Sequence, residues 1–329
     1  MPVVLTWKDV QNQSEAVFKQ FGEKVWIPNA KRNAQLPRRD PEELHNTGIG
    51  KHLLLVAIGA SLEENIETIK KYRDRVEIMT CDKGFELLLK HGVKADYVML
   101  CDANIPFTWI KDSINETKDV KLIATPYANP EWTENWKGDR YFMINKDALE
   151  TEKIFIDIFK DRFRIIPAGS NVSNAMLIFV TGSDEYQNIN WAGYERYILV
   201  GYDYSWRPDG NYYAWKNPIP KRYYMHHRTV LDFNSTPAFT SENLLFSAKW
   251  LYSYITVYNL PVVNCSGRGL LDIPQKNSLE NELMQINTSN IKQCRDTFEL
   301  MQHAYQTFMS SKKMFEESRK MLYTRINRR

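Results

Sequence analysis

The chain has 329 residues, 43% hydrophobic and 25% charged, which is enough for one large domain or two ordinary ones with a sizeable core. Those fractions exclude wholesale disorder and collagen-like structure, and the formal net charge of +3 does not mark a polyanion binder. Cys81, Cys101, Cys265 and Cys294 form no C-x-x-C pair, so a zinc ribbon has no support, and such sparse cysteines suit a reducing compartment. With no secretory pattern at the start and no apolar run of about 20 residues, the expectation is a soluble, cytoplasmic protein.

Residues 1–50 are polar and broken by prolines, and read as an N-terminal extension whose segment Lys31–Asp40 is an exposed basic loop. The first strong pattern is LLLVAIG at Leu53–Gly59, a continuous apolar run ending in glycine, as in a buried parallel strand. Ser61 opens a helical stretch, and Ser61 with Glu64 fits the S-x-x-E capping box. Strand and helix then alternate. VEIMTCD (Val76–Asp82) reads as a strand, Gly84–Gly92 as a helix, and ADYVMLCD (Ala95–Asp102) as a strand. Strands are expected from Val120 and Arg140, a helix over Thr151–Phe163, a strand over Phe163–Gly169 and a helix over Asn171–Gly182. Tyr194–Asp203 is a late strand, Thr240–Tyr258 a helix, and LPVVNCS a last short strand. Residues 204–239, rich in Tyr, Trp, Pro and His, form a long excursion suited to a lid or an acceptor-binding flap. From Pro274 onward the chain reads as helical, and Lys292–Arg329 carries nine basic residues against four acidic. The expected architecture is α/β, Rossmann-like, with a mainly parallel sheet over residues 51–273 and a helical basic appendage over 274–329.

In such a sheet ligands bind at the carboxyl ends of the strands. Gly59 and Ser61 follow the first strand, Asp82 the second, Asp102 the third, Gly169 and Ser170 a later one, and Asp203 the penultimate one. The turn at Gly59–Ser61 reads either as a phosphate cradle at a helix N-terminus or as an ordinary serine cap. Asp82 and Asp102 suit a ribose hydroxyl or Mg²⁺, or else cap helices. Gly169-Ser170-Asn171 offers a second phosphate turn or a plain N-cap. The excursion adds Tyr204, Tyr213, His226 and His227, with imidazoles suited to accept a proton and phenols suited to a departing phosphate. The histidine pair has no third ligand at a familiar metal spacing. The basic C-terminal segment suits nucleic acid, an acidic surface or simple solvation.

The runs V-A-I-G-A-S-L, C-D-K-G-F-E-L-L-L-K-H-G-V-K-A-D-Y-V-M-L-C-D, A-G-S-N-V-S-N-A-M and Y-I-L-V-G-Y-D-Y-S-W occur in order between Leu53 and Leu271. Together they resemble the MptE-like family, which holds archaeal 6-hydroxymethylpterin pyrophosphokinases and the central domain of motility-associated flagellin glycosyltransferases. That family resembles, in turn, the bacterial CMP-sialic-acid-dependent sialyltransferases. The resemblance implies that Ile58–Leu62 stands for their glycine turn against the nucleotide, with Ile58 and Ala60 where glycine and proline are usual. It implies that Ser170 meets the nucleotide, that Tyr213, with Tyr204 as a shifted substitute, supports the leaving phosphate, and that His227 or His226 is the general base. The expectation is therefore a glycosyltransferase moving a sugar from a nucleotide-sugar donor to a hydroxyl of a glycan, protein or hydroxylated DNA base, without an essential metal. The alternatives are a pyrophosphokinase with Asp82 and Asp102 on Mg²⁺, and a non-catalytic nucleotide-binding protein.

Overall fold

A computed structural model of the chain describes residues 18, 20–146, 151–167, 169, 171–182, 189–207, 210–215 and 227–286. The chain divides into two units, 1–286 and 287–329, and the second lies outside the described residues.

Eight strands form one sheet: β1 (His52–Val56), β2 (Glu77–Cys81), β3 (Tyr97–Leu100), β4 (Lys121–Ala124), β5 (Arg140–Lys146), β6 (Arg164–Pro167), β7 (Arg196–Val200) and, after a hairpin, β10 (Val262–Asn264). Their order is β10-β7-β1-β2-β3-β4-β5-β6, and every neighbouring pair is parallel. The expected α/β fold is thus borne out. The hairpin, β8 (Arg228–Leu231) against β9 (Pro237–Thr240), is antiparallel and lies within the excursion.

The sequence explains the layering. Leu53, Leu54, Leu55 and Val56 of β1 are all fully buried, because a parallel strand at the centre is covered on both faces. Each such side chain contributes roughly 1.5–3 kcal/mol by leaving water. One face carries α2 (Leu62–Lys71), buried along Leu62, Ile66 and Ile69, and α3 (Asp82–Lys90), buried along Phe85 and Leu88. The other face carries α6 (Val172–Thr181), which packs across β1, β2, β3 and β6. In chain order the remaining helices are α1 (Ile27–Asn33), α4 (Pro130–Asn135), α5 (Thr151–Phe159), α7 (Glu242–Val257) and α8 (Leu279–Met284).

Both expected ends of the α/β body move. The described part of the N-terminal extension packs into the body: α1 lies on α4 and α5, and Arg39 bridges to Tyr141 of β5. The basic loop expected at Lys31–Asp40 begins inside α1, with Asn33 buried and its side chain donating to the Pro126 and Ala128 carbonyls at 2.8 and 2.9 Å. At the other end, α8 docks on α2, and Glu280 pairs with Lys71 at 2.8 Å, so residues 274–286 belong to the body. The basic tail expected beyond them lies outside the described residues. Among the described residues no helix is long and apolar enough to cross a membrane.

Candidate active site

β1 connects rightward through α2 to β2, whereas β7 enters on the other side of β1, so the strand order reverses between β1 and β7. Such a switch point opens a crevice at the carboxyl ends of the strands. Here the two strand ends approach closely. Ala57 N donates to Val200 O at 2.9 Å and Gly59 N to Gly201 O at 3.0 Å. Glycine is required on both sides: a Cβ on Gly59 would lie 2.5 Å from Gly201 O, and Gly201 has φ +76° with Ala57 O 2.2 Å from a Cβ.

The crevice above has a volume of about 530 Å³, within the range of small-molecule sites. Gly59, Asp82, Asp102, Asp203, Tyr204 and Tyr213 all line it, as do the unforeseen Lys83, Trp26 and Tyr127. Of the residues expected around one crevice, Gly59, Asp82, Asp102 and Asp203 line it, Ser61 and Gly169 do not, and Ser170 lies outside the described residues. Asp82 opens α3 and is 6% exposed, its carboxylate accepting from Lys83 N at 2.6 Å. Burial pushes its carboxyl up to about 6, with the Asp102 charge adding to the effect. Asp102 is exposed at the rim and accepts from Asn104 N at 2.8 Å. Trp26, delivered by the helical turn before α1, stacks on Tyr127 with centroids 4.4 Å apart and planes 13° from parallel, an aromatic shelf at the crevice wall. The N-terminal segment gave no periodic signal that could have placed Trp26 there.

The turn after β1 departs from the phosphate-cradle expectation. Ser61 is fully buried and does not line the crevice. Its backbone is already helical, φ −64° and ψ −16°, so the expected capping box does not form. Ser61 N donates to Asp203 Oδ2 at 2.8 Å and Ser61 Oγ donates to Asp203 Oδ1. Asp203 thus places its own carboxylate at the start of α2, where a ligand phosphate was expected. Burial pushes the Asp203 carboxyl up to about 6, opposed by the two Ser61 hydrogen bonds and by Arg268 at 3.7 Å. Asp203 is a latch between β7 and β1 as well as a lining group.

The second turn behaves similarly. Gly169 is buried and absent from the crevice wall, and its carbonyl accepts from Asn174 Nδ2 at 2.6 Å. Asn171 caps α6 by accepting from Asn174 N at 2.9 Å. Ser170 lies outside the described residues. Tyr204 lines the crevice, but its hydroxyl donates to the buried Asn174 Oδ1, and burial pushes the phenol well above its ordinary value. Asn174, spaced three residues from its cap and bonded also to Ser247 O, is a hub that apolar helix spacing alone did not reveal.

His226 lies outside the described residues. His227 is exposed at the head of β8, its ring 4.2 Å from that of Phe239, and it does not line the crevice. A second cavity of about 310 Å³ lies across the Asp203–Ser205 segment, walled by Glu63, Glu64, Asp232 and Arg268 among others. Among the described residues no group of three His, Cys, Asp or Glu side chains is placed to hold a metal ion. Mg²⁺ would fit only in the way it is often held, by one or two carboxylates and the ligand's own phosphate oxygens, with Asp82 and Asp102 as the carboxylates.

The chain is similar to known proteins. An uncharacterized protein of Treponema pallidum (strain Nichols) is 30% identical over 87 residues, which are 26% of this chain and 41% of that protein. The MAf glycosyltransferase from Magnetospirillum magneticum AMB-1 superposes with a TM-score of 0.56 at 15% identity, over 86% of this chain and 45% of that one. At that identity the likeness is one of fold, and the chain spans less than half the length of either relative. The family described as 6-hydroxymethylpterin diphosphokinase MptE-like matches residues 24–209. That match runs from the turn before α1, through every strand end around the crevice, to the segment beyond Asp203, and the chain belongs to the MptE-like family.

Proposed function

We propose that the chain is a nucleotide-dependent transferase that moves a sugar from a nucleotide-activated donor to a hydroxyl acceptor. The observation that carries this reading is the convergence, in one crevice at the switch point, of an aromatic shelf, a buried carboxyl near neutrality and the Tyr213 phenol. The likeness in fold to a protein named a glycosyltransferase, over 86% of this chain, supports it. The Trp26–Tyr127 shelf offers a planar surface to a nucleobase. Tyr213 offers a hydroxyl to the departing phosphate. The acceptor hydroxyl loses its proton to one of two groups: a histidine of the His226–His227 pair, or Asp82, whose proton affinity burial has brought into the range of a general base.

The pairing of Asp82 with Asp102 favours a second reading, that of a diphosphokinase acting on a pterin-like alcohol, the activity in the family's description. Mg²⁺, when bound with the nucleotide, would neutralise phosphate charge there. A panel of CMP, UDP, GDP and ATP, with and without Mg²⁺, separates the two by thermal shift and product analysis. Glycosyl transfer requires a stabilising nucleotide and release of the nucleoside phosphate from its sugar conjugate. AMP production from ATP with strict Mg²⁺ dependence would establish the second reading and remove the first.

A further inference from the structure

The crevice is rich in carboxylates, and the groups that bind phosphate in related folds are spent. Asp203 fills the N-terminus of α2, the Asn171 side chain caps α6, and Arg268 is paired to Glu64 at 3.2 Å and to Asp203 at 3.7 Å. Arg268 also belongs to the second cavity rather than to the crevice. Among the described residues that line the crevice, Lys83 is the one cation.

Lys83 stands over two aromatic rings at once. Lys51, Lys71, Lys90 and Lys276 are each ion-paired to a carboxylate. Lys83 is half-buried at the second position of α3, directly after Asp82, whose carboxyl feels its charge, yet among the described residues no ion pair or hydrogen bond joins its ammonium to an oxygen. Instead Nζ lies 4.7 Å from the centroid of Trp109 and 4.7 Å from that of Tyr213. Trp109 sits on a helical turn after β3, and Tyr213 on the excursion after β7. Three separate segments therefore meet on one positive charge. Two ring faces stabilise that charge and fix its place without using up its three N–H donors on oxygen. A cation so held keeps its donors for an oxyanion.

We propose that Lys83 binds the phosphate of the crevice's ligand and that Trp109 and Tyr213 are the walls that hold it in place. This rests on the nucleotide reading above for the identity of the ligand, and it names the group that reading lacks. It also gives Tyr213 a second duty, since loss of its ring would release Lys83 as well as remove a hydroxyl.

The test is calorimetric titration of inorganic pyrophosphate, UDP and uridine into the full chain, in EDTA and again in Mg²⁺. Wild type should bind pyrophosphate in EDTA. Lys83→Gln should weaken pyrophosphate and UDP by about 10- to 100-fold, the loss expected for one charge-assisted hydrogen bond. Uridine, without phosphate, should bind wild type and Lys83→Gln alike. Lys83→Arg, which keeps charge and ring stacking, should retain most of the affinity. Trp109→Leu should weaken pyrophosphate about 3- to 10-fold, and circular dichroism melts would confirm that each variant folds. The assignment is overturned if Lys83→Gln binds pyrophosphate like wild type, if wild type binds none, or if binding needs Mg²⁺ and ignores Lys83. It is equally overturned if Arg268→Gln, rather than Lys83→Gln, removes it. Pyrophosphate bound through Lys83 with no nucleotide bound would leave the assignment standing and defeat the transferase reading instead.

Discussion

Asp82→Asn offers a test in which stability and activity move in opposite directions. In an unfolded chain the carboxyl titrates at its ordinary value of 3.8, and in the folded protein burial raises it to about 6. Between those values the folded state holds a proton that the unfolded state has lost, so stability falls as pH rises through the window. Above it the folded protein carries a buried charge whose cost, at about 1.36 kcal/mol per pH unit, is about 3 kcal/mol. An asparagine keeps the Oδ1 that accepts from Lys83 N and has no proton to lose. At pH 7.5 the variant should therefore be more stable by up to about 3 kcal/mol, a rise in Tm of roughly 5–10 °C, and the gap should close toward pH 4. Urea unfolding of both proteins at pH 4 and 7.5 measures this directly. Turnover should fall, by roughly 10²–10⁴-fold if the carboxylate is the base. A gap that is the same at both pH values, or a variant less stable at pH 7.5, would refute the claim that the crevice holds Asp82 at an energetic cost.

Asp203 has a carboxyl raised to the same extent, yet its removal should do the opposite. Asp203→Ala leaves Ser61 N and Oγ without their acceptor in a buried place, so a loss of about 2–4 kcal/mol is expected in urea unfolding at pH 7.5. Ser61→Ala, removing one of those two donors, should cost less, about 1–2 kcal/mol, with ligand affinity little changed because Ser61 does not reach the crevice. Tyr204→Phe should lower stability by about 1–2 kcal/mol through the orphaned Asn174 side chain, with nucleotide affinity unchanged in titration. If a histidine is the base, His226→Ala or His227→Ala should cut turnover by roughly 10²–10⁴-fold while donor affinity holds, and two wild-type rates would leave the role to Asp82.

The sequence made the sheet legible because its signal was local. A parallel strand covered on both faces must be apolar throughout, and Leu53–Val56 is; a glycine or aspartate then marks where the strand stops and the ligand side begins. That logic placed Gly59, Asp82, Asp102 and Asp203 at the carboxyl end of the sheet, where all four line the crevice, but it named Ser61 and Gly169 beside them, and neither does. It did not reveal which of them turn inward to each other. The hydrogen bonds from Ser61 to Asp203 join residues 142 apart in the chain, and no spacing rule links them. The hairpin β8–β9 was hidden in an excursion whose aromatic residues show neither period 2 nor period 3.6, and α4 was too short, at six residues, for a periodic pattern to appear. Trp26 and Trp109 come from segments with no strand to anchor them, so the arrival of Trp26 at the crevice and of Trp109 against Lys83 are tertiary events.

The fate of the turn after β1 has a consequence for how the site recognises charge. In many nucleotide-binding folds a glycine-rich turn and a helix N-terminus share the phosphate between backbone N–H groups. Here the same strand end and helix are present, but Asp203 supplies the anion from within the chain, and the latch it forms fixes β7 against β1. A ligand phosphate competing for that place would have to displace a buried carboxylate and leave it facing its own negative charge. On the nucleotide reading proposed above, a ligand phosphate finds its counter-charge elsewhere on the crevice wall, and the wall offers Lys83, one strand end away on α3. The turn after β1 is held by Asp203, and the phosphate contact proposed above lies instead with Lys83, between the rings of Trp109 and Tyr213.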